Sequence, residues 1–349
     1  MSGNDANHLQ QSMTKIRAVQ YGCGPVGCSV AKLAAQQPDI EFVGAIDTDP
    51  HLCGKDLGKT SGLKKKLDIP ISCNAKDILC QTKPDLVFLS TVSYARLIRP
   101  QVEHCLNAGA NVISTCEELC YPYDTMPSLA SELDSMAKMH NCTLLATGVN
   151  PGFLMDIWPL VMTGVCQHID QVKVVRIQDA SPRRKSFQQK IGAGCTLEEF
   201  KERVSSGSIR HVGLAESMAM IADGIGWKLE HITESIEPII AKTKVSTDYF
   251  TVEPGQIAGV RQVTKGSMAG KKVITLEFEA AVGAAHPYDA VYIRGIPDME
   301  VVIKGGIHGD IATAAIIVNS IHRVMAAPAG LVTMKDLPLI SAHRTGNHG

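Results

Sequence analysis

Neither sign of charge prevails in this chain, and no apolar stretch in it is long. Lys and Arg number 34 against 35 Asp and Glu, for a formal net charge of −1. Without a cationic excess, no global field draws the chain to nucleic acid or to an anionic membrane surface. No apolar run approaches the ~18 residues that span a bilayer. The polar opening over residues 1–14 has no signal-peptide core and reads as a flexible tail, which makes cytoplasmic the expected location. The 11 cysteines are odd in number and include no CxxC pair. Secreted disulfide scaffolds are short and carry paired cysteines, so these are read as reduced thiols. Cys116 and Cys120 are spaced to share a helical face, but no cluster of His or Cys completes a metal site around them. Internal repeats and low-complexity segments are also missing.

What is there is an ordinary globular composition, 45% hydrophobic and 20% charged over 349 residues. Such a chain buries a sizeable core and has the length of about two domains. The basic runs Lys64-Lys65-Lys66 and Arg183-Arg184-Lys185 are isolated and read as solvated loops.

Short apolar runs at Ile16 to Tyr21, Phe42 to Ile46, Leu86 to Leu89, Val112 to Thr115 and Thr143 to Thr147 alternate with helical patterns. One pattern runs through Val30, Leu33 and Ala34, another through Leu129, Leu133 and Met136. Strands apolar on both faces, separated by helices, predict parallel βαβ units. Beyond Asn150 the pattern changes. Strands are expected at Val172 to Ile177, Tyr249 to Val252, Val273 to Phe278 and Met299 to Ile303, with helices over Thr196 to Val204 and Leu214 to Ala222. An apolar helix over Ile311 to Met325, with Asp310 as its N-cap, is expected to pack back on the first part. The predicted fold class is α/β: a Rossmann domain with a parallel sheet over 15–152, an α+β domain with a mixed sheet over 153–306, and a returning C-terminal helix and tail over 307–349.

Between the first strand and first helix stands Gly22-Cys23-Gly24-Pro25-Val26-Gly27, a GxGxxG in the context that gives it meaning. The first glycine allows the tight turn, the second lets the backbone approach a pyrophosphate, and the third lets helix and strand pack closely. The helix N-terminus, with Pro25 and Val26 in its first turn, offers N–H groups to phosphate. Asp47 follows the second strand 47 − 24 = 23 residues after the middle glycine. An acid there accepts hydrogen bonds from the adenosine ribose and disfavours a 2′-phosphate, so NAD is favoured over NADP. His51 and Lys55 are near enough in sequence to accommodate that phosphate. Ser90 and Thr91, at the end of the Leu86–Leu89 strand, are expected to lie along the cofactor.

The ends of the next strands point to the chemistry. Glu117 and Glu118 follow one strand, Asn150 the next. Adjacent residues of an extended segment point to opposite sides, so one acid faces the crevice as a base or amine-binding carboxylate, and the other caps or pairs. Arg176 and Gln178 share a face of one strand. His286 and His308 are further candidates, each needing a partner to act. Arg183, Arg184 and Lys185 are possible grips for an anionic group.

With these runs in hand, a resemblance emerges. GCGPVG, GAIDTDP, ISTCEELCYP, ATGVNPGF, RIQDASPRR, HVGLAESMAMIADGIGW and GGIHGDIATAAIIVNSI together resemble the 2,4-diaminopentanoate dehydrogenases and their relatives, the native amine dehydrogenases, over nearly the whole chain. The architecture is more distantly similar to dihydrodipicolinate reductase. The resemblance implies reversible oxidative deamination of a small amine with NAD or NADP, ammonia and ketone being the products. It also implies a homodimer, no metal, and a substrate pocket between the domains. It assigns the nitrogen-contacting carboxylate to Glu117, with Asn150, Arg176, Gln178 and His286 lining the pocket. Gln178 stands where diamine-active relatives carry Asn, and Phe187 to Cys195 matches nothing distinctive. Two other readings accompany this one: a cyclic imine reductase of the dihydrodipicolinate reductase type, and a non-catalytic dinucleotide sensor on the same fold.

Overall fold

The computed structural model describes residues 15–342; the expected tail over 1–14 lies outside them. In chain order the first half runs β1 (Ile16–Tyr21), α1 (Pro25–Ala34), β2 (Ile40–Ile46), α2 (Leu57–Thr60), β3 (Ile71–Ser72), α3 (Ala75–Thr82), β4 (Leu86–Leu89), α4 (Ala95–Asn107), β5 (Asn111–Ser114), a 3-10 turn (Glu117–Leu119), α5 (Pro127–Met139) and β6 (Thr143–Ala146). There follow α6 (Ile157–Thr163), β7 (His168–Asp179), α7 (Lys185–Lys190), α8 (Leu197–Ser205), α9 (Leu214–Gly224), β8 (His231–Ile240), β9 (Val245–Ser246) and β10 (Thr251–Val252). The chain then continues through β11 (Ile257–Met268), β12 (Lys271–Ala281), β13 (Tyr288–Ile296), β14 (Met299–Lys304), α10 (Gly309–Asn319), α11 (Ile321–Met325) and β15 (Gly330–Val332).

The first sheet is parallel, in the order β15-β6-β5-β4-β1-β2-β3. Its central strand β4 (LVFL) is buried at every position, as a strand covered by helices on both faces must be. The order runs outward from β1 in both directions, so the crevice beyond the carboxyl ends of β1 and β4 is the topological switch point where such sheets bind ligands. The second sheet, β14-β13-β7-β12-β11-β8, is mixed: β7 and β12 are parallel and the remaining neighbours antiparallel. Helix α9 is buried along most of its length and packs on β11 and β12. Helix α10 packs against α1, and β15 joins the edge of the first sheet beside β6, so the C-terminal segment returns to the first sheet and extends it.

Several expectations are corrected. The C-terminal apolar run is two helices, separated at Ser320, whose hydroxyl bonds back to the Ile316 carbonyl at 2.6 Å; such back-bonding competes with the helix ladder. The residue at the N-cap of α10 is His308, and Asp310 lies inside the first turn, its carboxylate taken by Arg183 and Arg184. Of the strand expected at Tyr249 to Val252, only Thr251–Val252 forms. The Thr247 hydroxyl accepts the N–H groups of Tyr249 and Phe250, at 3.2 and 3.0 Å, and holds those residues in a turn. Finally, Cys53 and Cys73 form a disulfide rather than staying thiols. They meet because the loop after β2 folds onto the end of β3, through Gly54 N–H to the Ile71 carbonyl at 2.8 Å and Asp47 N–H to the Ser72 carbonyl at 3.0 Å.

Candidate active site

At the switch point the glycine loop has the shape its spacing requires. Gly22 sits at φ +93°, and a Cβ there would lie 2.3 Å from the Ser90 carbonyl oxygen. A Cβ on Gly27 would lie 1.9 Å from the Gly22 carbonyl oxygen, so loop and helix can close up only with glycine at both places. By contrast, a Cβ on Gly24 would meet nothing within 4 Å; its backbone borders open space, as pyrophosphate approach demands. Gly24 also begins α1 with no side-chain cap, and Pro25 takes the first helical position, which leaves the helix N–H groups for an anion. Asp47 is fixed against this loop, accepting from Cys23 N–H at 2.6 Å and Asp49 N–H at 2.9 Å. Each carboxylate oxygen keeps a lone pair for a ribose hydroxyl. The loop, the helix start and the acid therefore fit a dinucleotide.

Beyond the loop a cavity of about 260 Å³ opens between the two sheets. One wall carries Val26, Ser90, Thr91, Thr115, Glu117 and the segment Thr147 to Pro151; the other carries Arg176, Gln178, Arg183, Arg184, Lys190, Arg210, His211 and Phe278. Gly309, Asp310 and Thr313 of α10 line it as well. The two adjacent acids part company. Glu117 opens the 3-10 turn and lines the cavity, whereas Glu118 accepts from Ala95 N–H at 2.8 Å and so caps the start of α4. Gly213, at the start of α9, packs against Pro151 and Glu117.

Several buried polar atoms on these walls have no protein partner: Ser90 Oγ, Thr147 Oγ1, Asn150 Oδ1, Arg176 Nε and His211 Nε2. Unpaired buried polar groups are costly, and their gathering on one cavity is what a polar ligand would satisfy.

The cationic wall is built. Arg176, 1% exposed, donates to Asp289 at 2.8 Å and to the Ile307 carbonyl at 2.9 Å. Burial pushes its pKa down to about 10 against the opposing pull of Asp289, and burial likewise raises Asp289. Arg183, expected in a solvated loop, is 6% exposed. It forks onto Asp310 at 3.0 and 3.1 Å, donates to Gln178 Oε1 at 2.6 Å and lies over the Phe187 ring. Arg184 pairs with the same Asp310. Thus Arg183 and Arg184 of the basic run line the site, while Lys185 is exposed.

His286 is corrected: it is exposed, on the turn before β13, and does not line this cavity. The turn carries it outward while Asp289, three residues on, points in to Arg176. His308 is the cap position of α10, its pKa lowered by burial first and then by Arg183. Sequence reasoning missed His211, Lys190, Arg210 and Thr313. The run HVGLAES directly before a buried helix is the one local signal for His211.

A Rossmann-like dinucleotide fold joined to a mixed-sheet layer, with the cavity between them, defines an oxidoreductase. The family model for the 2,4-diaminopentanoate dehydrogenase C-terminal domain matches residues 153–348. The 2,4-diaminopentanoate dehydrogenase of Acetoanaerobium sticklandii is 32% identical over 333 residues, 94% of each chain. An amine dehydrogenase of Streptomyces virginiae is 22% identical over 93% of this chain and 96% of its own. The solved structure of the amine dehydrogenase from Mycobacterium smegmatis superposes with a TM-score of 0.85 at 27% identity, over 94% of this chain and 97% of that one. A dihydrodipicolinate reductase from Paenisporosarcina shares the fold at TM-score 0.50 and 12% identity, over 92% of this chain and 99% of that one. The chain belongs to the 2,4-diaminopentanoate dehydrogenase family.

Proposed function

We propose that this protein is an NAD(P)-dependent amine dehydrogenase that interconverts a small amine bearing a carboxylate, of the 2,4-diaminopentanoate kind, with the corresponding ketone and ammonia. The observation that carries the reading is Glu117, a carboxylate on the cavity wall next to the cofactor loop and facing a wall of cations, whereas Asp310, which also lines the cavity, is taken up by Arg183 and Arg184. The nicotinamide, when bound, exchanges a hydride with the substrate carbon. The chain's own residues do the rest. Glu117 holds the ammonium or iminium nitrogen by charge and carries protons between the attacking water and that nitrogen, since hydrolysis of the iminium by one water gives ketone and ammonium only when the water's protons pass to the leaving nitrogen. Asn150 and Thr147 orient the nitrogen with polar atoms that have no protein partner. Arg184, Lys190 and Arg210 receive the carboxylate at the other end, and Arg176, Gln178 and Arg183 stiffen that wall. Fixing the substrate at both ends supplies the orientation that hydride transfer requires. Asp47 favours NAD. The family resemblance suggests a homodimer, which sedimentation of the purified chain tests.

The test is NADH and NADPH oxidation by the purified protein with ammonia and a panel of ketones with and without a carboxylate. The expected result is ammonia-dependent turnover that prefers the acidic ketones. Bound cofactor with no ammonia-dependent turnover overturns the proposal, and turnover of cyclic imines alone would replace it with an imine reductase.

A further inference from the structure

His211 belongs to no expectation drawn from the sequence and is held with unusual care. Its backbone is clamped from both sides by one side chain: Gln262 accepts from His211 N–H at 2.8 Å and donates to the His211 carbonyl at 3.0 Å. Gln262 is fully buried on β11 and is itself fixed by donation to Glu234 at 2.9 Å. The imidazole stacks on Phe278, with centroids 4.3 Å apart and planes at 16°. Two residues on, a Cβ built on Gly213 would lie 3.3 Å from the Glu117 Cβ, and His211 and Glu117 line the same cavity.

Packing alone does not account for this arrangement. A phenylalanine would stack as well and would leave no buried Nε2 unpaired. The ring is also kept uncharged. Burial, and then the charges of Lys190, Arg176, Arg183 and Arg210, push its pKa well below the usual value. A neutral imidazole is a poor partner for an ammonium and a good one for a carbonyl or hydroxyl oxygen, with one N–H to give and one lone pair to receive.

Resting on the amine dehydrogenase reading, we propose that His211 contacts the substrate beside Glu117, its imidazole hydrogen-bonding the oxygen at the reacting carbon. That oxygen is the ketone carbonyl, then the carbinolamine hydroxyl, then the departing water in reductive amination. Glu117 serves the nitrogen and supplies the proton with which the hydroxyl leaves as water; His211 holds the oxygen in place and transfers no proton.

The experiment compares His211→Phe and His211→Asn with wild type in ketone amination, alongside NADH fluorescence titration and thermal melting. His211→Phe keeps the stacked ring and loses the polar atoms. It is expected to lower kcat on the order of 100-fold, the scale for one lost oxygen-binding hydrogen bond, with cofactor affinity and melting temperature unchanged. His211→Asn gives up the stack and restores a polar group, and is expected to recover at least about tenfold of that loss. Wild-type activity with an equally active His211→Phe overturns the inference alone. So does an asparagine variant no better than the phenylalanine one. A wild type without ammonia-dependent turnover defeats the underlying reading, and this inference with it.

Discussion

Glu117 and Glu118 share every property that composition can see, yet one lines the cavity and the other donates its charge to the start of a helix. Their substitutions therefore separate chemistry from stability. Glu117→Gln keeps the shape and loses the charge and the exchangeable proton. Turnover is expected to fall by at least about 100-fold, the lower bound for removing a general acid–base group, while NADH titration is unchanged. Glu118→Gln leaves Ala95 N–H with a weaker acceptor and is expected to cost about 1 kcal/mol, the usual worth of such a cap, read in a denaturant melt with activity largely kept. The reverse ranking would show that the wrong acid has been given the nitrogen. Asp47 offers a second residue-scale test. Asp47→Ala removes the acceptor of Cys23 N–H and Asp49 N–H together with the ribose partner, so both dinucleotides weaken. NAD is expected to lose more than NADP, because the carboxylate was also what repelled the 2′-phosphate. An unchanged ratio of dissociation constants removes Asp47 from the ribose.

At the scale of elements, the legible parts were those whose physics is local. The first sheet could be read because its strands are buried on both faces and its helices alternate with them, and the glycine loop because its spacing between a strand and a helix is a local pattern, even though Gly22 answers the Ser90 carbonyl at the end of another strand. The second sheet was half legible. β12 showed itself, but β8 is exposed along most of its length, β13 mixes buried and exposed positions, and β11, though largely buried, sets Arg261, Gln262, Thr264 and Lys265 among its apolar residues, so their partners rather than their residues define them. The cationic wall was illegible for a similar reason. Arg183 and Asp310 are 127 residues apart and meet only when the turn after β7 is brought against the start of α10. That contact predicts an asymmetry. Asp310→Asn leaves Arg183 and Arg184 against each other with no carboxylate between them, whereas Arg183→Met leaves Asp310 still paired with Arg184. Asp310→Asn is expected to be the worse of the two, toward the roughly 3–5 kcal/mol that breaking a buried pair costs. Urea melts of the two variants check the order, and equal losses would mean that Arg184 contributes nothing.

For the molecule as a whole, the coupling between the two sheets runs through α9. Its Ser217 donates to Asp156 at 2.8 Å, and its Glu216 accepts from Thr125, on the Rossmann side, at 3.3 Å. Glu216 is buried, and burial first, with the nearby charge of Glu118, raises its pKa from 4.5 to about 7. An acid raised on folding is neutral in both states below its unfolded pKa, so its contribution is intact there. It is lost as the pH rises through the folded pKa, because the unfolded chain ionises the group freely and the folded one resists. The window is thus about pH 4.5 to 7, and the full effect is roughly 3 kcal/mol at the 1.36 kcal/mol that one pKa unit represents. Asp156 is raised by burial in the same sense, so the wild-type curve alone would not isolate Glu216; the difference between two proteins does. Glu216→Gln holds the neutral form permanently and keeps a group able to bond Thr125. Its gain in stability relative to wild type is expected to be no more than about 1 kcal/mol at pH 5 and to grow to roughly 3 kcal/mol at pH 8, measured by denaturant melts at both values. A gain of equal size at pH 5 and pH 8 would mean that the carboxyl does not titrate across this window. The contact between α9 and the Rossmann side would then be held by its packing rather than by the state of that one proton.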